Sequence, residues 1–353
     1  MQKRVKMVDI ARAANVSRTS VSLILNQVPG VRIAEATRQR VLQVARELGY
    51  TPGPLLADLD PERKRLFGVL INEISSAYPI DLIYGLQNQA DAQGVQIVIQ
   101  VTDGVGDHEV AALDTFERFG VAGVVYASTF SAMAAPPKQL GKFRHVLLNC
   151  RRDDSSDFAV LPAERHGGAL AAQHLIDIGR RRIATITGDP WQFASKERMA
   201  GFHRALNKAG LNLGTAFEAT SDWGHASGYQ AAQKLLDLPQ PPDAIFCHND
   251  IIARGAIALA RDRGLRVPED LAIVGYDDRE FAKDLGITSI SLPFQEMAER
   301  ALTELASDTP LQPRTISVSG RLIPRASSSK GALIVSKFSI QTSVSRDLDH
   351  HEP

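Results

Sequence analysis

From residue 66 onward, short apolar runs alternate with amphipathic helical patterns, and this alternation restricts the fold more than any other feature of the chain. Residues 66–71, 95–101, 121–126, 145–149, 183–187, 244–247 and 271–275 have the length and apolar content of buried strands. Helical patterns fall between them, at 81–93, 165–178, 196–208, 226–236 and 251–262. Repeated strand–helix–strand units imply parallel sheets with helices on both faces. The number of strands calls for two such sheets, hence two lobes. In folds of this kind ligands bind beyond the carboxyl ends of the strands, which places a site in the cleft between lobes.

The first fifty residues follow a different rule. Ile10, Ala11 and Ala14 mark one apolar helical face, and Asn15 tolerates the left-handed backbone of a tight turn. Ser17 is a good N-cap for a second helix whose inward face is Val21, Ile24 and Leu25. Arg18, Thr19 and Ser22 then face outward near the start of that helix. A helix–turn–helix of this form places its second helix in a DNA major groove, where early side chains reach base edges. A third helix over 35–48 turns Val41, Leu42, Ala45 and Leu48 inward, with Gly49 as its stop signal. The bland alternative is a helical hairpin whose polar residues only meet water. Charge weighs against it. Residues 1–50 hold nine lysines and arginines against three acids, although the whole chain is balanced at 40 of each. A basic head on an acidic body suits a DNA-binding unit joined to a sensor.

Other classes are disfavoured. Cys150 and Cys247 lie far apart in apolar runs and read as buried free thiols. No cysteine or histidine cluster has metal-ligand spacing, so neither a metal nor a cofactor is expected. No apolar run reaches the roughly 18 residues of a membrane span, nor does a signal-peptide core follow the basic start, so a cytoplasmic protein is expected. The nine histidines show no catalytic context, and no glycine-rich phosphate loop follows a strand.

The motifs Val8-Asp9-Ile10-Ala11, Asn15-Val16-Ser17, Ser20-Val21-Ser22, Leu25-Asn26 and Glu47-Leu48-Gly49-Tyr50-Thr51-Pro52 resemble the head of the lac repressor family, and the likeness runs in order through residue 325. The resemblance implies that Arg18 and Thr19 are the main operator-reading residues and that Ser17 and Asn26 meet the phosphate backbone. It also implies a hinge over 52–65 in which Leu59 wedges into the minor groove. Some residues depart from the family pattern. Leu23 stands where a base-reading arginine is common, and Ala34 where a serine often caps the third helix. Ala57 replaces a common arginine, and Asp58 and Asp60 bring negative charge toward phosphate, with Arg63-Lys64-Arg65 nearby to compensate.

In the body, polar residues gather at strand ends. Asn149 ends one strand, Asn249-Asp250 follow a second and Asp277-Asp278 a third; Arg198 and Trp223 lie in adjoining segments. Planar donors and acceptors with one aromatic face suit a polyol. Each residue also has an ordinary alternative: helix cap, surface ion pair or core aromatic. The family resemblance implies that Arg198, Asn249 and Asp277 hydrogen-bond an effector, that Trp223 stacks on it, and that Tyr78 lines the opposite lobe. Asn149 stands where sugar-binding relatives often have Asp, and Leu292 where many have Gln.

The expected architecture is therefore an α/β protein with a three-helix helix–turn–helix head (1–51), a hinge (52–65) and a two-lobed body resembling periplasmic binding proteins (66–325). Residues 326–330 read as a linker, opening a C-terminal extension (326–353) that is expected to be largely disordered. The expected function is a homodimeric repressor that binds a pseudo-palindromic operator under control of a small molecule, a sugar or sugar derivative. A free-standing solute receptor and an enzyme on the same body are the alternatives.

Overall fold

The computed structural model describes residues 5–25, 33–48, 50, 65–74, 80–211 and 214–329. Asn26, Gly49, the hinge segment with Leu59, Tyr78 and residues 330–353 lie outside the described residues.

The head contains α1 (Met7–Ala13), α2 (Arg18–Leu25) and α3 (Glu35–Glu47). Its core is small: Ile10, Ala11, Ala14, Val21, Ile24, Val41 and Ala45 are buried, with Leu25 and Leu42 packed against them. Asn15 takes the left-handed backbone its turn requires, at φ 51°. Ser17 caps α2, its Oγ accepting the Ser20 N–H at 3.0 Å. Asp9 accepts the Lys6 N–H at 2.8 Å, satisfying a donor that the start of α1 would leave open. Ala34 at the start of α3 offers no side-chain cap. One expectation fails: Leu48 is 39% exposed. Three short helices close over their core a turn earlier, so the stripe Val41–Ala45 is complete without it.

Among the described residues the body has two six-stranded sheets. The first lobe is built on β1 (Leu66–Ile71), β2 (Gln96–Val101), β3 (Val124–Met133), β4 (His145–Arg151) and β5 (Phe158–Pro162). The second holds β6 (Ile183–Thr187), β7 (Glu218–Thr220), β8 (Ala244–Cys247), β9 (Ala272–Asp277) and β10 (Thr288–Ser291). The chain then returns: β11 (Arg314–Val318) joins the first sheet beside β5, and β12 (Leu322–Ile323) joins the second beside β10. The strand orders are β11-β5-β4-β3-β1-β2 and β12-β10-β9-β8-β6-β7, and among the described residues only the β10–β12 pairing is antiparallel.

Helices α4 (Asp81–Ala92), α5 (Gly106–Phe119) and α11 (Phe294–Ala306) cover the first sheet. Helices α6 (Glu164–Asp177), α7 (Phe193–Lys208), α8 (His225–Leu236), α9 (Asp250–Asp262) and the short α10 (Glu280–Asp284) belong to the second lobe. Alternation along β1 shows why both faces need a cover. Phe67, Val69 and Ile71 enter the core beneath α4 and α11, while Leu70 enters the core beneath α5. In the second lobe Ile245 and Cys247 pack toward α8 and α9, and Ala244 and Phe246 toward α6 and α7.

Several elements escaped the sequence reading. β3 begins at Val124 rather than Val121 and runs on through an irregularity between Ala127 and Ala132. β11 is an edge strand with mostly exposed residues, so its pattern lacks the apolar run of its neighbours. The expected linker is also part of the body. Ser327 Oγ donates to the Ile273 carbonyl at 2.6 Å and accepts the Thr288 N–H at 2.8 Å, and Ser328 Oγ lies 2.7 Å from His174 Nε2. Both serines are buried, which converts a polar, linker-like segment into the closing hydrogen-bond layer of the second sheet.

Candidate ligand site and nucleic-acid interface

A cavity of about 300 Å³ lies between the lobes at the carboxyl ends of the strands. Its wall includes Asn149 from the first lobe and Arg198, Trp223, Asn249 and Asp277 from the second. These are all the site residues singled out in the body by sequence, apart from Tyr78, which is outside the described residues. Leu292 is also in the wall.

Most of these residues have structural duties as well. Asn249 caps α9: its Oδ1 accepts the Ile252 N–H at 2.7 Å, and its Nδ2 donates to the Trp223 carbonyl at 3.1 Å. Asn149 donates to the Ser128 carbonyl at 2.9 Å, and its Oδ1 lies 3.0 Å from Ser131 Oγ. Three of the five have left-handed backbones: Asn149 at φ 58°, Trp223 at 69° and Asp277 at 97°. A bulky residue there costs of order 1–3 kcal/mol, and such strain concentrates at ligand sites. The Trp223 ring lies where a Gly188 side chain would be, so only glycine fits at that strand end. The Trp223 indole N–H is buried and has no hydrogen-bond partner.

Arg198 is the electrostatic centre. Its Nε and Nη2 donate to the two oxygens of Glu164 at 2.7 and 3.0 Å, and Nη1 donates to the His248 carbonyl. Asp277 Oδ1 is 3.7 Å from Nη1, and the guanidinium lies 3.7 Å from the Tyr276 ring centroid. The side chains of Arg198 and Glu164 are 5% and 1% exposed, so this is a buried ion pair. Burial works against the arginine's charge, but Glu164 outweighs it and holds the group more firmly protonated. Burial pushes the Asp277 carboxyl up to about 7 despite the opposing pull of Arg198. Burial and then the Arg198 charge hold the His248 imidazole well below its ordinary value, hence neutral. Nearby Asp250 is pushed up to about 8, by burial first and then by Asp277.

Glu164 is one residue that sequence reasoning missed. It is the first residue of α6, where an acid is expected merely to complement the helix dipole, and its partner is 34 residues away. The close approach that joins them needs Gly168, one turn further along the same face of α6. A side chain there would collide with the Arg198 backbone carbonyl. Ser131, also missed, has its Oγ 2.8 Å from Glu164 Oε1 and 3.0 Å from Asn149 Oδ1, so its one hydroxyl proton serves either acceptor and ties the pair to the first lobe.

On the head, Arg18 and Thr19 are exposed at the start of α2, and Ser22 is half-buried. Ser17 is exposed too, although its hydroxyl is engaged in the cap and lies 2.9 Å from Ser20 Oγ. Among the described residues no helix is long and apolar enough to cross a membrane. Nor is any group of three histidine, cysteine or acidic side chains placed to hold a metal ion.

Residues 6–53 match the lacI family of bacterial regulatory proteins, and residues 172–328 match the periplasmic binding protein-like domain. The HTH-type transcriptional regulator DegA of Bacillus subtilis is 33% identical over 304 residues, covering 84% of this chain and 89% of DegA. The HTH-type transcriptional repressor PurR of Aliivibrio salmonicida is 30% identical over 298 residues, 83% of this chain and 89% of PurR. Among solved structures, the complex of the transcriptional regulator CelR with cellobiose aligns with a TM-score of 0.64 at 27% identity, over 92% of this chain and all of that one.

Proposed function

The chain belongs to the lacI family of DNA-binding transcriptional regulators, and we propose that it is a cytoplasmic, dimeric repressor released from or driven onto its operator by an uncharged polyol. In this reading Arg18, Thr19 and Ser22 read base edges, and Ser17 and Asn26 meet the phosphate backbone. Leu59 enters the minor groove from the hinge. Two heads related by a dimer axis read the halves of a pseudo-palindrome.

One observation carries the effector reading. The 300 Å³ cavity between the lobes gathers planar hydrogen-bonding groups, an indole face and an unsatisfied buried indole N–H. Its volume of about 300 Å³ is at the lower end of small-molecule sites. The charge of Arg198 is already matched by Glu164 through two hydrogen bonds. An anionic ligand claiming that arginine would leave Glu164 buried and unpaired, at a cost of about 3–5 kcal/mol. A neutral sugar makes no such demand, and cellobiose, the ligand in the CelR complex, is one. Because both lobes contribute to the wall, a ligand there favours one lobe arrangement over another, and operator affinity follows that difference.

The test is selection of binding sites from a random DNA library with purified protein, then salt titration on the best site and a screen of neutral sugars. A short palindrome, a steep salt slope and a sugar that changes the affinity are expected. An enriched site that no sugar affects would sink the effector reading, and folded protein that enriches no site with or without sugars would sink the operator reading.

A further inference from the structure

A second cleft, of about 540 Å³, opens among the ends of β4 and β5, the start of α6, helix α7 and edge strand β11. It shares only Glu164 with the smaller cavity. We infer that this cleft binds a small oxyanion, a phosphate or carboxylate group held between Arg151 of the first lobe and Arg204 of the second.

The balance of charge in the wall points to this ligand. Two glutamates face three arginines, but both acids are already committed. Glu164 is held by Arg198, and Glu197 accepts two hydrogen bonds from Arg165, at 2.9 and 3.0 Å. Among the described residues, Arg151 and Arg204 have no carboxylate partner within ion-pair distance. Arg151 is also held in place: its guanidinium lies 5.5 Å from the Phe193 ring centroid, and its Nε is buried with no hydrogen-bond partner. A buried, unmatched donor on a charged group is costly, and an anion satisfies it.

The rest of the wall supplies further donors. Thr315 and Ser317 are two apart on β11, so both hydroxyls share one face of the strand, and His166 adds an imidazole from α6. This cleft therefore has unmatched positive charge, whereas in the interlobe cavity Arg198 is paired with Glu164. An oxyanion held between Arg151 and Arg204 bridges the lobes, and Glu164, common to both walls, stands between it and the interlobe cavity.

The proposal is tested by isothermal titration of the full-length protein with inorganic phosphate and, separately, with malonate, ionic strength being fixed with chloride. Saturable binding of at least one anion is expected, weakened about tenfold or more by Arg204→Gln and by Arg151→Gln, as for loss of a charge-assisted contact. Tighter phosphate than malonate would assign a phosphate ester, and the reverse a carboxylate. Arg204 is exposed, so its variant tests the cleft even where Arg151→Gln lowers stability. Arg266→Gln, which removes a surface pair with Asp270 outside the cleft, should leave the affinity unchanged. No saturable heat with either anion in folded wild-type protein, or equal affinities in wild type and both cleft variants, overturns the proposal.

Discussion

The head and the interlobe cavity handle their working residues in opposite ways. In the head, Arg18 and Thr19 project into solvent from a helix whose core they do not touch, and neither is strained. In the cavity, the candidate ligand residues cap a helix, hold a buried ion pair or sit on left-handed backbone. The head separates recognition from folding; the body combines them. Substitutions in the head should therefore change what is bound without changing stability, and substitutions in the cavity should change both.

Arg198→Ala is the strongest test of that contrast. It leaves Glu164 buried without its partner, so unfolding in urea should show a loss of about 3–5 kcal/mol as well as loss of any sugar response. Adding Glu164→Gln should recover part of the stability. A variant as stable as wild type would mean that cavity residues are as separable from folding as those of the head.

The pH dependence of stability sharpens the same point. Asp250 and Asp277 have folded-state values of about 8 and about 7, raised from 3.8 by burial first. The native state thus keeps protons that the unfolded chain has released. Their contribution is fully present below 3.8 and is lost as pH rises through about 7 and then about 8. Thermal melts should show stability falling across that window, with a smaller fall in Asp250→Asn. A slope unchanged by that substitution would contradict the assignment.

In the head, Ile24→Ala opens a cavity in a core with seven buried residues among those described. A cost of about 2–5 kcal/mol is enough to unfold so small a unit. Calorimetry should then show the main transition of the body unmoved while operator binding disappears. Arg18→Ala and Thr19→Ala should leave melting unchanged and relax base preference by about 1–3 kcal/mol per lost contact. If either shifts the melting temperature substantially, the separation of recognition from folding fails. The smallest effect is a gain: Ala34→Ser restores a missing cap on α3 and should stabilise the head by about 1 kcal/mol.

Much of this was legible in the chain before folding was considered. Residues 66–71, 183–187 and 244–247 are strands with the bounds their apolar runs imply. Ser17 is the cap its position after Asn15 implies. These are local facts, set by side-chain periodicity and by the needs of helix ends within a few residues. The candidate cavity residues were legible for a related reason: parallel sheets put ligands at strand ends, and the polar residues there are visible one strand at a time.

Sequence therefore determined the alternation that forces two parallel layers, the basic head, and the residue types available at each strand end. Only the tertiary structure decided what those residues do to one another. Glu164 neutralises Arg198 because two helices of the second lobe approach at Gly168. Arg314–Val318 becomes a strand of the first lobe only because the chain comes back to an open edge beside β5. Ser327 and Ser328 are buried because β9 and β10 present unsatisfied groups that they complete. Periodicity encodes which face of an element is apolar. It carries no information about which distant charge, edge or carbonyl that face will meet, since that depends on the path of the whole chain through both lobes.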